Sequence, residues 1–138
     1  MTVPNGDFDT DLLRFPTALQ AILVYNSPMS SPTQRSKKYL EEQGYFVWIV
    51  EKWNHFAQIR EDLWGFVDLL AIKPHEILAV QTTTGSNMSA RVKKINAHEN
   101  VSFVRQAGIK IHVHGWTKGS NNRYSVRVID CSYEHLEL

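Results

Sequence analysis

The chain has 138 residues, of which 43% are hydrophobic and 21% are charged, and this composition is typical of one folded, soluble domain rather than a low-complexity chain. The formal net charge of +1 excludes a strongly basic or strongly acidic protein. It does not decide whether the partner is a nucleic acid, because the clustering of charges matters more than their sum.

The sequence also predicts an intracellular, cytoplasmic protein without a membrane partner. Its single cysteine, Cys131, cannot form an internal disulfide, which fits a reducing compartment. The longest apolar run near the N-terminus, residues 21–25, is too short to span a bilayer. The segment before it is acidic, unlike a secretory signal.

The first elements in chain order are a polar lead-in and a helix. Residues 1–30 form the acidic lead-in, in which residues 17–25 fit a helix or a strand, and residues 31–138 form a single α/β domain. Ser31 can cap a helix, Pro32 suits its first position, and Gln34 stands where a capping box requires it. Gly44 supplies a left-handed stop to this helix.

Three strands and a second helix follow. Residues 45–50 (YFVWIV) suit a strand that is covered on both faces, and a polar excursion over residues 51–62 comes next. Residues 65–72 and 77–83 are the second and third strands, which a turn containing Pro74 joins as an antiparallel pair. Residues 85–87 break the third strand and can cap a helix with an apolar face of Met88, Val92 and Ile95.

The last elements are a short helical segment over residues 100–107 and strands at 109–114 and 123–129. The helix between the third and fourth strands makes that pair parallel. This order predicts an α/β fold with a mixed central sheet and helices on both faces.

Two polar residues, Asp68 and Gln81, interrupt the second and third strands. Burying a carboxylate is costly unless another group compensates its charge. In an antiparallel pair, the two side chains could lie on neighbouring strands at the same end of the sheet. A carboxylate and an amide carbonyl are both oxygen ligands for a divalent cation, so the pair indicates a metal site.

Residues 68–71 (DLLA) and 79–83 (AVQTT) resemble the motif of the PD-(D/E)XK nuclease superfamily, which includes restriction enzymes and Holliday-junction resolvases. In that motif an aspartate lies early in the second strand, and an acid and a lysine stand two apart in the third. The run over residues 60–95 is similar to small nuclease-like proteins of bacteriophages. The resemblance covers roughly residues 33–117.

This resemblance implies a restriction-endonuclease-like core in the order α-β-β-β-α-β. It also implies an Mg²⁺- or Mn²⁺-dependent endodeoxyribonuclease, in keeping with a phage-encoded protein in a bacterial host. The partner would be the DNA phosphate backbone. Enzymes of this class commonly pair to cut two strands, which implies a homodimer.

The chain departs from the motif at two positions, since Gln81 replaces the acid and Thr83 replaces the lysine. The missing cation would come from the next helix, where Arg91 and Lys94 share a polar stripe with Asn87. The predicted metal ligands are Asp68, Gln81, Glu51 and Asp62. The predicted catalytic residues are Asp68, Gln81, Thr83, Arg91 and Lys94, and the predicted DNA-binding residues are Arg35, Lys38, Arg91, Lys93 and Lys94.

Two other functions fit the same residues: a nucleic-acid-binding module that has lost catalysis, or a structural or assembly protein. Trp53 and Trp64 flank the polar excursion, where they either pack at the core rim or stack on an unpaired base. His112 and His114 have a spacing that can bind zinc, although no cysteine lies nearby. The sequence does not distinguish a junction, a flap, a single strand or a specific site as the target.

Overall fold

The computed structural model describes residues 30–134. The predictions for residues 1–29, including the segment 17–25, and for residues 135–138 lie outside this range. The elements in chain order are α1 (Pro32–Glu42), β1 (Phe46–Ile49), β2 (Lys52–Asn54), β3 (Ile59–Glu61), β4 (Leu69–Lys73), β5 (Glu76–Thr84), α2 (Met88–Ala97), α3 (Val101–Gln106), β6 (Lys110–Lys118) and β7 (Tyr124–Asp130). None of the helices in this range has the length and apolar character needed to cross a membrane.

Five of the strands form one mixed sheet in the order β1-β4-β5-β6-β7. β4 pairs antiparallel with β1 and with β5, β6 runs parallel to β5, and β7 runs antiparallel to β6. The predicted antiparallel second and third strands and parallel third and fourth strands are therefore confirmed.

Apolar side chains pack on both faces of this sheet, and the alternation of side chains along β5 separates them into two clusters. Leu78 and Val80 pack with Leu40 of α1 on one face. Ala79 packs with Met88 and Ile95 of α2 on the other face. The α/β class and the mixed sheet with helices on both faces are confirmed. The prediction that the first strand is covered on both faces is wrong, because Phe46 and Trp48 of β1 are 62% and 65% exposed.

The start of α1 follows the predicted capping box. The Gln34 backbone N–H donates to Ser31 Oγ at 3.2 Å, and the Ser31 backbone N–H donates to Gln34 Oε1 at 3.1 Å. Gly44, with a φ of +92°, follows the helix end as predicted. The start of α2 differs, because residues Gly85–Asn87 form a 3₁₀ turn and the Asn87 side chain makes no capping bond.

A buried serine links α1 to β6. Ser36 Oγ lies 2.9 Å from His114 Nδ1 and accepts a hydrogen bond from Trp116 Nε1 at 2.9 Å. Burial lowers the pKa of His114 to about 4, so its ring is neutral at physiological pH. His112 Nε2 instead lies 3.9 Å from Asp130 Oδ1, so each histidine of the predicted pair has a different partner within the fold.

The polar excursion over residues 51–62 contains a hairpin that the sequence did not predict. β2 pairs antiparallel with β3, and Asn54 Oδ1 closes the turn by accepting the backbone N–H groups of Phe56 and Ala57 at 3.0 Å each. Both strands are short and largely exposed, so they show none of the apolar alternation by which a strand is predicted.

The second strand of the predicted meander begins later than expected. Trp64 and Gly65 both have a positive φ and form a turn, so β4 starts one residue after Asp68. The Asp68 backbone nevertheless belongs to the hydrogen-bond ladder. Its N–H donates to the Val80 carbonyl and its carbonyl accepts the Val50 N–H, both at 2.9 Å. These bonds fix the position of Asp68 at the end of the sheet.

Candidate metal centre

Three carboxylates meet at the end of the sheet where β1 leads into the hairpin. Glu51, Asp62 and Asp68 each offer one oxygen, and these oxygens all lie within 4.8 Å of one another. Glu51 precedes β2, Asp62 follows β3 and Asp68 precedes β4, so the hairpin brings the first two acids to the third. Both acids that the sequence offered as supplements to Asp68 therefore lie beside it.

Asp68 and Gln81 are in contact at the floor of this cluster, and their side chains are 4% and 2% exposed. Gln81 Nε2 donates to Asp68 Oδ2 at 2.9 Å. The Thr82 backbone N–H donates to the same oxygen at 2.7 Å, and the Thr82 hydroxyl donates at 3.2 Å. All three bonds converge on Oδ2, which fixes the orientation of the carboxylate.

The other end of the Gln81 amide has no such partner. Gln81 Oε1 is buried and accepts no hydrogen bond from any residue between 30 and 134. The bond from Nε2 to Asp68 sets the amide orientation, because the reverse orientation would bring two acceptors together. An unsatisfied buried acceptor costs about 1–3 kcal/mol. An amide oxygen of this kind is a ligand that a hard cation accepts.

These groups line a cleft of about 520 Å³ between the N-terminus of α1 and the start of α2. The polar stripe predicted on α2, Asn87, Arg91 and Lys94, lines the wall of this cleft. Thr83, which is buried, also lines it. The cleft therefore combines an acidic floor with a basic wall, as a cation and a phosphate bound side by side would require.

Three of the predicted DNA-binding residues lie outside the cleft lining. Arg35 is 5% exposed; its Nη2 donates to the Ser30 carbonyl at 2.8 Å, and its guanidinium covers the Tyr124 ring at 3.5 Å. These contacts hold the guanidinium inside the fold, so Arg35 does not offer it to a DNA phosphate at the surface. Lys38 on α1 is half-buried and Lys93 on α2 is exposed, and their DNA contacts remain predictions.

Sequence reasoning missed two residues of the site, Thr82 and Arg60. The Thr82 hydroxyl donates to Asp68 and lies 2.8 Å from Thr33 Oγ1. Because the Thr82 hydrogen is used in the bond to Asp68, Thr33 donates to Thr82, and this bond connects α1 to the Asp68 carboxylate. Arg60 Nη1 lies 3.4 Å from Glu51 Oε1. The polar run of three threonines after Gln81 was the available signal for Thr82, while nothing local pointed to Arg60.

Burial shifts the ionisation of the acidic pair. Burial raises the pKa of Asp62 to about 6, and a hydrogen bond to Asp68 and the charge of Asp68 add to this effect, while Lys94 and Arg91 oppose it. Burial also raises the pKa of Asp68, against the Thr82 backbone N–H and the Asp62 hydrogen bond, which lower it. In the metal-free protein, Asp62 therefore holds a proton that it shares with Asp68 at mildly acidic pH.

We expect cation binding to depend on this proton. The folded-state pKa of Asp62 lies above its ordinary value of 3.8, so protonated Asp62 stabilises the folded protein. This contribution to the free energy of unfolding is complete below pH 3.8 and is lost as the pH rises through about 6. A cation competes with the proton, so Mn²⁺ affinity should rise with pH through about 6 and then level off. Calorimetric titrations with Mn²⁺ between about pH 5 and about pH 8 measure this dependence.

The matched control is Glu61→Gln, which removes an exposed carboxylate one residue before Asp62. Its Mn²⁺ affinity should follow the wild-type pH profile. A wild-type affinity that does not change over this pH range would contradict the shared proton.

Comparisons with known proteins identify no relative of this chain. No family model, curated protein or solved structure matches the chain. A functional proposal therefore rests on the chemistry of the cleft and on the motif resemblance described above.

Proposed function

We propose that this protein is a small metal-dependent nuclease that hydrolyses DNA phosphodiester bonds in the cleft between α1 and α2. One observation carries the proposal: the carboxylate oxygens of Glu51, Asp62 and Asp68 lie within 4.8 Å of one another, at the floor of a cleft whose wall carries Arg91 and Lys94. Neither the carboxylate cluster nor the basic wall would alone indicate phosphate chemistry, because acidic clusters and basic helix faces are both common.

The donor set fits Mg²⁺ or Mn²⁺. Asp68 is the principal ligand, Glu51 and Asp62 supply further anionic oxygens, and Gln81 Oε1 supplies a neutral one. No nitrogen or sulfur ligand belongs to the three-carboxylate group, which favours a hard cation over zinc. When bound, the ion would polarise the scissile phosphate and lower the pKa of an attacking water.

The side chains of the wall would hold the phosphate. Arg91 and Lys94 place positive charge across the cleft from the carboxylates, where it offsets the negative charge that builds on the phosphate oxygens in the transition state. Hydrolysis forms a bond from phosphorus to the water oxygen and breaks the bond to the leaving oxygen. The water loses one proton and the leaving oxygen gains one.

The order of elements supports the same proposal. β1, β4 and β5 form an antiparallel meander after α1, and α2 and α3 then lead to β6, which is parallel to β5. This is the order that the resemblance to PD-(D/E)XK nucleases implies for a restriction-endonuclease-like core. Thr83 stands at the position of the family lysine, so α2 would supply the positive charge instead.

A cleavage assay tests the proposal. Purified protein with Mn²⁺ should cut DNA, and chelation of the metal should stop it. Arg91→Ala and Lys94→Ala should each lower the cleavage rate by about 10²-fold, the effect of removing one electrostatic donor to a transition state. Both variants should also bind DNA more weakly, with a smaller dependence on salt.

The matched control is Lys110→Ala, which removes one positive charge from the end of the sheet that carries Glu76. This variant should cut at the wild-type rate. DNA binding that survives chelation, without cleavage under any metal, would support a binding module in place of the nuclease. The absence of any salt-dependent DNA affinity would support a structural protein.

A further inference from the structure

The β2–β3 hairpin presents an exposed tryptophan next to the cleft. Trp53 in β2 is 47% exposed, and its Cα pairs with that of Arg60 in β3. Arg60 lines the cleft, and its side chain is 66% exposed. Directly paired residues of antiparallel strands point to the same face, so the indole and the guanidinium project from one face of the hairpin.

Contacts on the two sides of the hairpin define this face. Arg60 reaches Glu51 at 3.4 Å, which places Glu51, Trp53 and Arg60 on the side of the cleft. On the opposite side, Asn54 Nδ2 donates to Glu61 Oε1 at 2.7 Å. Trp53 therefore shares its face of the hairpin with a candidate metal ligand and lies just outside the residues that line the cleft.

Trp64, the other tryptophan that flanks the hairpin region, lies elsewhere. Its carbonyl accepts a hydrogen bond from Asn100 Nδ2 at 2.9 Å, and it lines a second pocket with Phe103 and Val104 of α3. The structure thus separates two aromatic residues that the sequence treated alike. Of the two, only Trp53 pairs with a residue that lines the cleft, Arg60.

We propose that Trp53 is a stacking platform for an unpaired nucleobase, and that the substrate of this cleft is therefore single-stranded DNA. The inference rests on the proposed nuclease function and names its substrate class. A base inside a duplex has both faces covered by its neighbours, whereas an unpaired base can stack on an exposed indole. One nucleotide can then present its base to Trp53 and its phosphate to Arg60, and the chain continues to the carboxylates.

Binding of a fluorescent oligothymidylate, measured by anisotropy in the presence of EDTA, tests the platform without cleavage. Trp53→Ala should weaken binding of the single strand by about 5- to 100-fold, the effect of removing one base–aromatic stack. Trp53→Phe should retain most of the wild-type affinity, because phenylalanine keeps a ring on which a base can stack. Neither variant should change the affinity for a blunt duplex of the same length.

Ile59→Ala is the matched control, because Ile59 is 52% exposed and lies on the opposite face of the same hairpin. It should bind the single strand as the wild type does. Mn²⁺ titration of Trp53→Ala should match the wild type and show that the cleft is intact.

Equal affinities of wild type and Trp53→Ala for the single strand would overturn the inference, as would an equal loss for the duplex. Failure of the nuclease proposal has a different signature. If the wild type binds the single strand through Trp53 but never cuts it with Mn²⁺, the stacking role of Trp53 is supported and the nuclease proposal is wrong.

Discussion

Asp68→Asn is expected to slow DNA cleavage about a thousand-fold while leaving the protein folded. The substitution keeps the shape of a side chain that is 4% exposed and keeps an oxygen that can accept the Thr82 N–H, but it removes the central anion of the cluster. Loss of the cation would remove about 4 kcal/mol of transition-state stabilisation, or about a thousand-fold in rate. Single-turnover cleavage of a labelled single strand with Mn²⁺ measures the change.

Thermal unfolding without metal provides the control for Asp68→Asn, since the variant should melt cooperatively. Asp130→Asn makes the same chemical change at the end of β7, outside the cleft lining, and should cut at the wild-type rate. A folded Asp68→Asn protein that cuts DNA as fast as the wild type would contradict the assignment of Asp68.

Gln81→Glu is expected to tighten Mn²⁺ binding and to destabilise the metal-free protein. The new carboxylate would be buried beside Asp68, where an uncompensated charge costs about 3–5 kcal/mol. In the presence of a cation, the same charge becomes an anionic ligand in place of a neutral amide. Mn²⁺ at about a hundred times its Kd should then add back about 2.7 kcal/mol of stability.

Urea unfolding with and without Mn²⁺, together with calorimetric Mn²⁺ titration, measures both effects of Gln81→Glu. Gln106→Glu adds the same charge at an exposed position on α3 and should change neither quantity. The interpretation of Gln81 as a metal ligand would be wrong if Gln81→Glu bound Mn²⁺ no more tightly than the wild type does.

The contact between Asp68 and Gln81 could be predicted because local chemistry sets the register of their strands. The turn at Pro74 and His75 pairs Lys73 with Glu76, and counting away from the turn along both strands brings Asp68 opposite Gln81. Strand alternation then directs both side chains to one face. The capping box of α1 and the positive φ of Gly44 also depend on neighbouring residues alone, so the sequence predicted both.

The composition of the rest of the site depends on contacts between distant segments. Glu51 and Asp62 reach Asp68 through a hairpin whose strands are polar and exposed on most of their surface, and a periodic pattern does not identify such strands. Arg35 looked like a surface cation in the sequence, but the ring that covers its guanidinium belongs to Tyr124, in the last strand of the sheet. Burial of this kind leaves no local signal.

A crystal soaked in Mn²⁺ tests the metal site itself, because anomalous scattering locates the ion independently of any activity. We expect one strong anomalous peak bounded by Glu51, Asp62, Asp68 and Gln81 Oε1, and its loss in crystals of Asp68→Asn. At a saturating Mn²⁺ concentration, a peak elsewhere with none in this cleft would show that these residues do not form a metal site.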